Sequence, residues 1–175
     1  MKVKVPFIAV VVLSLGVIVF AQDPAGPHPK RARVAEDYKP GTLKELAAKA
    51  ASAESLGNKL ETMVIDPDLS PTRVTATYAE LTARIPDAKA EVIRQWARRY
   101  AGAPETYTKA YEVDVAFTEN GTQYWLTFNK RALESFWKAD VLKKPVDLFV
   151  IKMGAIKQGD TWTPVLLVES FEKAK

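Results

Sequence analysis

Two runs of alternating apolar and polar residues, Val113 to Phe117 and Tyr124 to Phe128, flank the pair Asn120-Gly121. Both of those residues tolerate the positive φ of a type I′ turn, so the segment predicts a β-hairpin with that pair as its loop. Phe117 then faces Tyr124, Val115 faces Leu126, and Val113 faces Phe128 on one side. The other side pairs Ala116 with Trp125, Asp114 with Thr127, and Glu112 with Asn129. A slip of one residue would move every apolar side chain to the wet face, so the pattern specifies the register.

Helical periods surround the hairpin. Thr42-Leu43-Lys44-Glu45 forms a capping box, and Leu43, Leu46, Ala47, Ala50 and Ala53 continue on one face. This predicts a helix from Leu43 to Leu56, stopped at Gly57. Leu60, Thr62 and Val64 alternate in a short strand that ends at Asp66-Pro67. Ser70-Pro71 reads as a helix start, with Val74, Tyr78, Leu81 and Ile85 as its stripe. Threonines at 72, 75, 77 and 82 argue against that helix, because β-branched side chains lose rotamer freedom there. Pro86-Asp87 restarts the period, and Ala88, Val92, Trp96 and Tyr100 define a helix ended by Gly102 and Pro104. After the hairpin, Arg131 to Val141 forms a short helix capped by Asn129, with Leu133, Phe136 and Trp137 directed inward. Val146 to Met153 is a strand apolar on both faces, hence well inside the fold. Gly159-Asp160 turns the chain into a last strand, Trp162 to Phe171, with Pro164 at an edge or near its start.

The N-terminus has the three parts of an export signal. Lys2 and Lys4 precede an uncharged apolar run, Phe7 to Phe20, and Val19-Phe20-Ala21 offers small residues to a signal peptidase. Residues 1–21 are therefore expected to be removed; the competing reading is an uncleaved anchor from Val5 to Ala21. Residues 22–41 hold four prolines and the basic stretch Lys30-Arg31-Ala32-Arg33, the composition of a flexible tether. Residues 42–175 are left as a single domain, large enough for a core of its own. The chain has no cysteine, so no lipoprotein anchor or disulfide is available and burial alone must stabilise the fold. The net charge is +4, of which the two signal lysines carry two, so the mature chain has little general attraction for anionic polymers.

Five strands with a helix between the third and fourth resemble the OB-fold, a small Greek-key barrel. The chain looks like an exported bacterial protein of that architecture. The resemblance covers about Asn58 to Lys175 and rests on element order, with no signature motif. It implies an α+β fold, a five-stranded antiparallel barrel with an N-terminal helix and a two-helix insertion at 70–104. The alternative is an antiparallel sheet with helices on one face.

Much chemistry is excluded by residue type. The single histidine, His28, lies in the tether, and there is no Gly-x-Ser-x-Gly elbow, phosphate loop or calcium loop. No cofactor and no metal are expected. Glu112 and Asp114, two apart on a strand, project from one face about 7 Å apart. Trp125 and Thr127 lie across from them, making a candidate ligand face. Arg94, Arg98 and Arg99 form a basic patch on the inserted helix. Three readings follow. The first is an exported, non-enzymatic module, periplasmic or secreted, that binds an envelope protein or small ligand. The second is a glycan-acting enzyme using Glu112 and Asp114 as acid and base. The third, single-stranded nucleic-acid binding, meets an acidic face formed by Glu112, Asp114 and Glu119. Once the signal is removed, no membrane span is expected.

Overall fold

The computed structural model describes residues 34–51, 59–60, 62–66, 70–102 and 104–174. The expected signal, most of the expected tether with His28, and the expected end of the first helix at 52–58 lie outside the described residues. The elements are β1 (Lys39–Pro40), α1 (Leu43–Ala51), β2 (Lys59–Leu60), β3 (Met63–Ile65), β4 (Thr72–Arg84) and α2 (Asp87–Tyr100). They continue with α3 (Pro104–Ala110), β5 (Val113–Glu119), β6 (Thr122–Phe128), α4 (Lys130–Lys138), β7 (Pro145–Gln158) and β8 (Thr161–Lys173).

The hairpin folds in the predicted register, Val113 opposite Phe128 and Val115 opposite Leu126. Asn120 and Gly121 take φ of 50° and 80° at its tip. From this hairpin a mixed sheet extends in the order β1-β4-β5-β6-β8-β7-β3-β2, and pairing of β4 with β7 closes five of the strands into a ring. The α+β class therefore stands, but the expected all-antiparallel arrangement does not. β4, β5 and β6 alternate in direction, and β7 runs antiparallel to both β4 and β8. A closed ring with an odd number of strands needs one parallel contact, and β6 with β8 supplies it. β1 also pairs with β4 in parallel.

Two segments differ from their sequence reading. Residues 72–84 form β4, not a helix, so the helices expected in 70–104 are α2 alone, and a second helix, α3, follows at Pro104–Ala110. The stripe Val74, Tyr78, Leu81, Ile85 mimics a helical period, but Val74 and Ala76 are buried while Thr75 is exposed, the alternation of a strand. β-branched threonines fit that pleat well. The strand expected at 60–64 becomes the short β2 and β3, which sit outside the ring on the edge of β7. Within the expected tether, Lys39 and Pro40 pair with β4 as β1. Tyr38 is buried, packs edge-on to Phe149 at 4.9 Å and donates its hydroxyl proton to Glu169.

Inside the ring, Val74, Val115, Phe117, Leu126, Phe128 and Leu148 form the main core. α4 closes it with Phe136, and α1 adds Leu43 and Leu46. Each such side chain contributes about 1.5–3 kcal/mol on burial. The Thr42–Glu45 capping box forms as expected. A second cap comes from far along the chain: the carboxylate of Glu119 accepts from the Leu43 and Lys44 amides at 2.9 and 3.0 Å. A carboxylate is favoured at a helix N-terminus, so Glu119 fastens α1 to the end of β5. α2 lies outside the ring. Val92, Ile93, Trp96 and Ala97 pack there with Met153, Val165 and Leu167 from β7 and β8.

Candidate functional site

The apolar face of α2 starts one turn early, with a lysine. Lys89 precedes Val92 and Ile93 by three and four residues, which puts it on the same buried side of the helix. Its ammonium reaches the polar face of the hairpin and donates to Asp114 at 2.7 Å. The Thr127 hydroxyl donates to the same carboxylate oxygen at 2.5 Å. Lys89 also donates to the Trp125 carbonyl at 3.3 Å. That carbonyl lies on the edge of β6 turned away from β5, and β8 pairs with β6 only at Thr127 and Phe128. Among the described residues the sheet gives that carbonyl no partner, and the lysine takes it.

The face expected to be wet is therefore divided. Asp114 and Lys89 are only 4% and 3% exposed, and Thr127 is fully buried. Trp125 is 37% exposed, and Glu112, just ahead of β5, is exposed too. Glu112 and Asp114 do not share an environment, and Asp114 is held in an ion pair. Lys89 was not among the expected site residues, and its signal in the sequence is a cation on the apolar face of a helix.

Burial lowers the Lys89 pKa from its ordinary 10.5, opposed by the charge and hydrogen bond of Asp114. The unfolded chain then binds more protons than the folded one as pH approaches 10.5, so this group's contribution to stability rises with pH over that window. Wild type should gain stability relative to Lys89→Met as pH is stepped from neutral to 10.5, measured by urea denaturation. The comparison cancels Tyr78, whose phenol is pushed up by burial and by Glu80 in both proteins.

Exposed chemistry gathers on the other side of Glu112. A cleft of about 650 Å³ opens where β4 leaves the sheet and β5 enters it, walled by α2 and α3. Arg84, Arg94 and Lys109 line it together with Asp87, Glu105 and Glu112, so its charges balance. An adjoining pocket of about 190 Å³ has Val113, Phe128, Leu133 and Trp137 as apolar walls, with Lys130 and Glu134 also lining it. The two cavities share Lys109, Glu112 and Val113. Trp137, expected to point inward, is 47% exposed here, because α4 turns only Ala132 and Phe136 fully into the core.

The basic patch also divides. Arg94 lines the cleft and is ion-paired with Glu91, which also accepts from Gln95 at 2.6 Å. Arg98 and Arg99 are exposed and do not line the cleft. Among the described residues no cluster of three or more histidine, cysteine or acidic side chains could hold a metal ion, and no helix is long and apolar enough to cross a membrane. Comparison of the chain with protein-family models and with curated proteins finds no match.

Proposed function

We propose that this chain is an exported, non-enzymatic binding module of OB-like architecture, whose ligand lies in the cleft beside Glu112 and not on the hairpin face. The ring order β4-β5-β6-β8-β7, with α4 between β6 and β7, supports the OB-like reading. The charged start, apolar run and small-residue site at 1–21 support export to a periplasmic or external space. The observation that carries the binding reading is the meeting of two cavities at Lys109, Glu112 and Val113. A mostly apolar pocket joined to a few polar and charged groups is the usual build of a ligand site. The glycan-hydrolysing alternative needs two working carboxyls, and Asp114 is committed to Lys89. Nucleic acid would meet as many carboxylates as cations in the cleft.

The test is an NMR titration of isotope-labelled protein with soluble envelope fragments, muropeptides and short peptides. Resonances of Lys109, Glu112, Val113 and the Trp137 indole should move together, and the ligand should be recovered chemically unchanged. Glu112→Ala and Trp137→Ala should weaken binding by about tenfold or more, the cost of one good contact. Trp125→Ala should leave it intact. Shifts centred on Trp125, or turnover of a glycan that Glu112→Gln abolishes, would contradict the proposal.

A further inference from the structure

β4 runs on past the start of β7, its partner on one side. Residues 72–77 pair with β7, which begins at Pro145 opposite Thr77, so past that point β4 has β5 on one side and, among the described residues, no strand on the other. Its pairing with β5 shifts between Tyr78 and Thr82, where Glu80 has φ of 60°, and then resumes regularly through Arg84. The Ile85 amide donates to the Glu112 carbonyl, which fixes the alternation beyond the bulge. Ala83 and Ile85 turn their backbone groups toward β5, and Thr82 and Arg84 turn theirs to the open edge.

Apolar groups collect along that edge. Leu81 lies in it and is 47% exposed. Trp137 stacks edge-on against Tyr78 at 5.6 Å. Leu142, also exposed, precedes the Lys143 that pairs with Glu80. Among the described residues only five large apolar side chains are exposed, and Leu81, Trp137 and Leu142 of these lie near one unpaired stretch of strand. A bulge and flanking charges are the usual protection of a bare edge, yet here they turn apolar side chains outward beside a cleft.

We propose that the ligand is an extended polypeptide, which pairs its main chain with Thr82 and Arg84 and places one large apolar side chain in the pocket walled by Trp137. Outward amides and carbonyls on a strand edge match a second main chain, and alternate side chains of an added strand reach pockets on one face. The balanced charges of the cleft suit a polar peptide with no strong net charge. This inference rests on the reading of the cleft as the ligand site.

The experiment uses acetylated, threonine-rich heptapeptides with Trp, Leu or Ala at the centre, titrated into labelled protein. The Trp and Leu peptides should move the Thr82 and Arg84 amides and the Trp137 indole, and the Ala peptide should bind about tenfold more weakly. Methylating alternate backbone nitrogens on one edge of the Trp peptide should abolish binding, while methylating those on the other edge should not. Binding that survives methylation of both edges, each in turn, overturns strand pairing. So does a response confined to Lys109 and Glu112, which leaves the cleft standing as a ligand site of another kind. Muropeptide glycan moving the cleft resonances when no peptide does would also overturn the polypeptide. Silence of the cleft toward peptides and glycans alike would end both this inference and the reading beneath it.

Discussion

Asp114→Ala destabilises the protein by about 3–5 kcal/mol, the ordinary consequence of leaving one member of a buried ion pair without its partner. Lys89 is 3% exposed, with its ammonium on the removed carboxylate, so the variant must bury a bare cation, give up the lysine's proton at a cost, or pull α2 away from the hairpin. Thr127 loses its acceptor in the same step. The double variant Lys89→Met with Asp114→Leu should recover most of that loss, because apolar replacement of a whole buried pair is often neutral or stabilising. Equilibrium urea denaturation of Lys89→Met, Asp114→Leu and the double variant closes the cycle, and the double variant should lose far less than the sum of the two single losses. Additive single effects would mean that the pair is looser than its 2.7 Å separation.

Phe136→Ala is expected to cost about 3–5 kcal/mol, the range for removing a large aromatic side chain from a packed core. Phe136 is 1% exposed and is the residue through which α4 closes the ring. Rings of Tyr78, Phe117, Phe128, Trp137 and Phe171 surround it at centroid distances of 5.1–5.7 Å. So many neighbours from β4, β5, β6 and β8 have no single direction in which to collapse, and a cavity should remain. Trp137→Ala, one residue on, removes a half-exposed ring and should cost much less. Thermal and urea midpoints of the two variants provide the comparison, and equal losses would contradict the placement of α4.

The hairpin was legible to the residue because Asn120-Gly121 fixes a turn and the turn fixes every pair behind it. The caps at Thr42 and Asn129 were legible for the same reason: their partners lie within three residues. Contacts formed across the chain left no such trace. Glu119 caps α1 from 76 residues away, and nothing near Leu43 announces it. β4 was misread because four apolar residues happened to fall at helical spacing, although Thr72, Thr75 and Thr77 recorded the true preference.

The candidate site was only half legible, and the missing half was tertiary. The sequence places Asp114 and Thr127 on the polar side of the hairpin, which is correct, yet a polar side is wet only when nothing covers it. α2 covers it, and a lysine on the apolar stripe of that helix satisfies the buried carboxylate. Glu112 was named for a pairing it does not have, and it marks the junction of two cavities instead. Those cavities are built by α2, α3, α4, β4, β5 and β6, of which α3 was unread and β4 misread as local structure. Their walls come together only when the ring closes.

Whether α2 seals the hairpin can be read from the reactivity of a single amine. Reductive methylation of the native protein with labelled formaldehyde, followed site by site, should modify exposed Lys109 and Lys130 early and leave Lys89 untouched until denaturant is added. Methylation of Lys89 at the same rate as those two would place its ammonium in water, free Asp114, and return the ligand face to the hairpin.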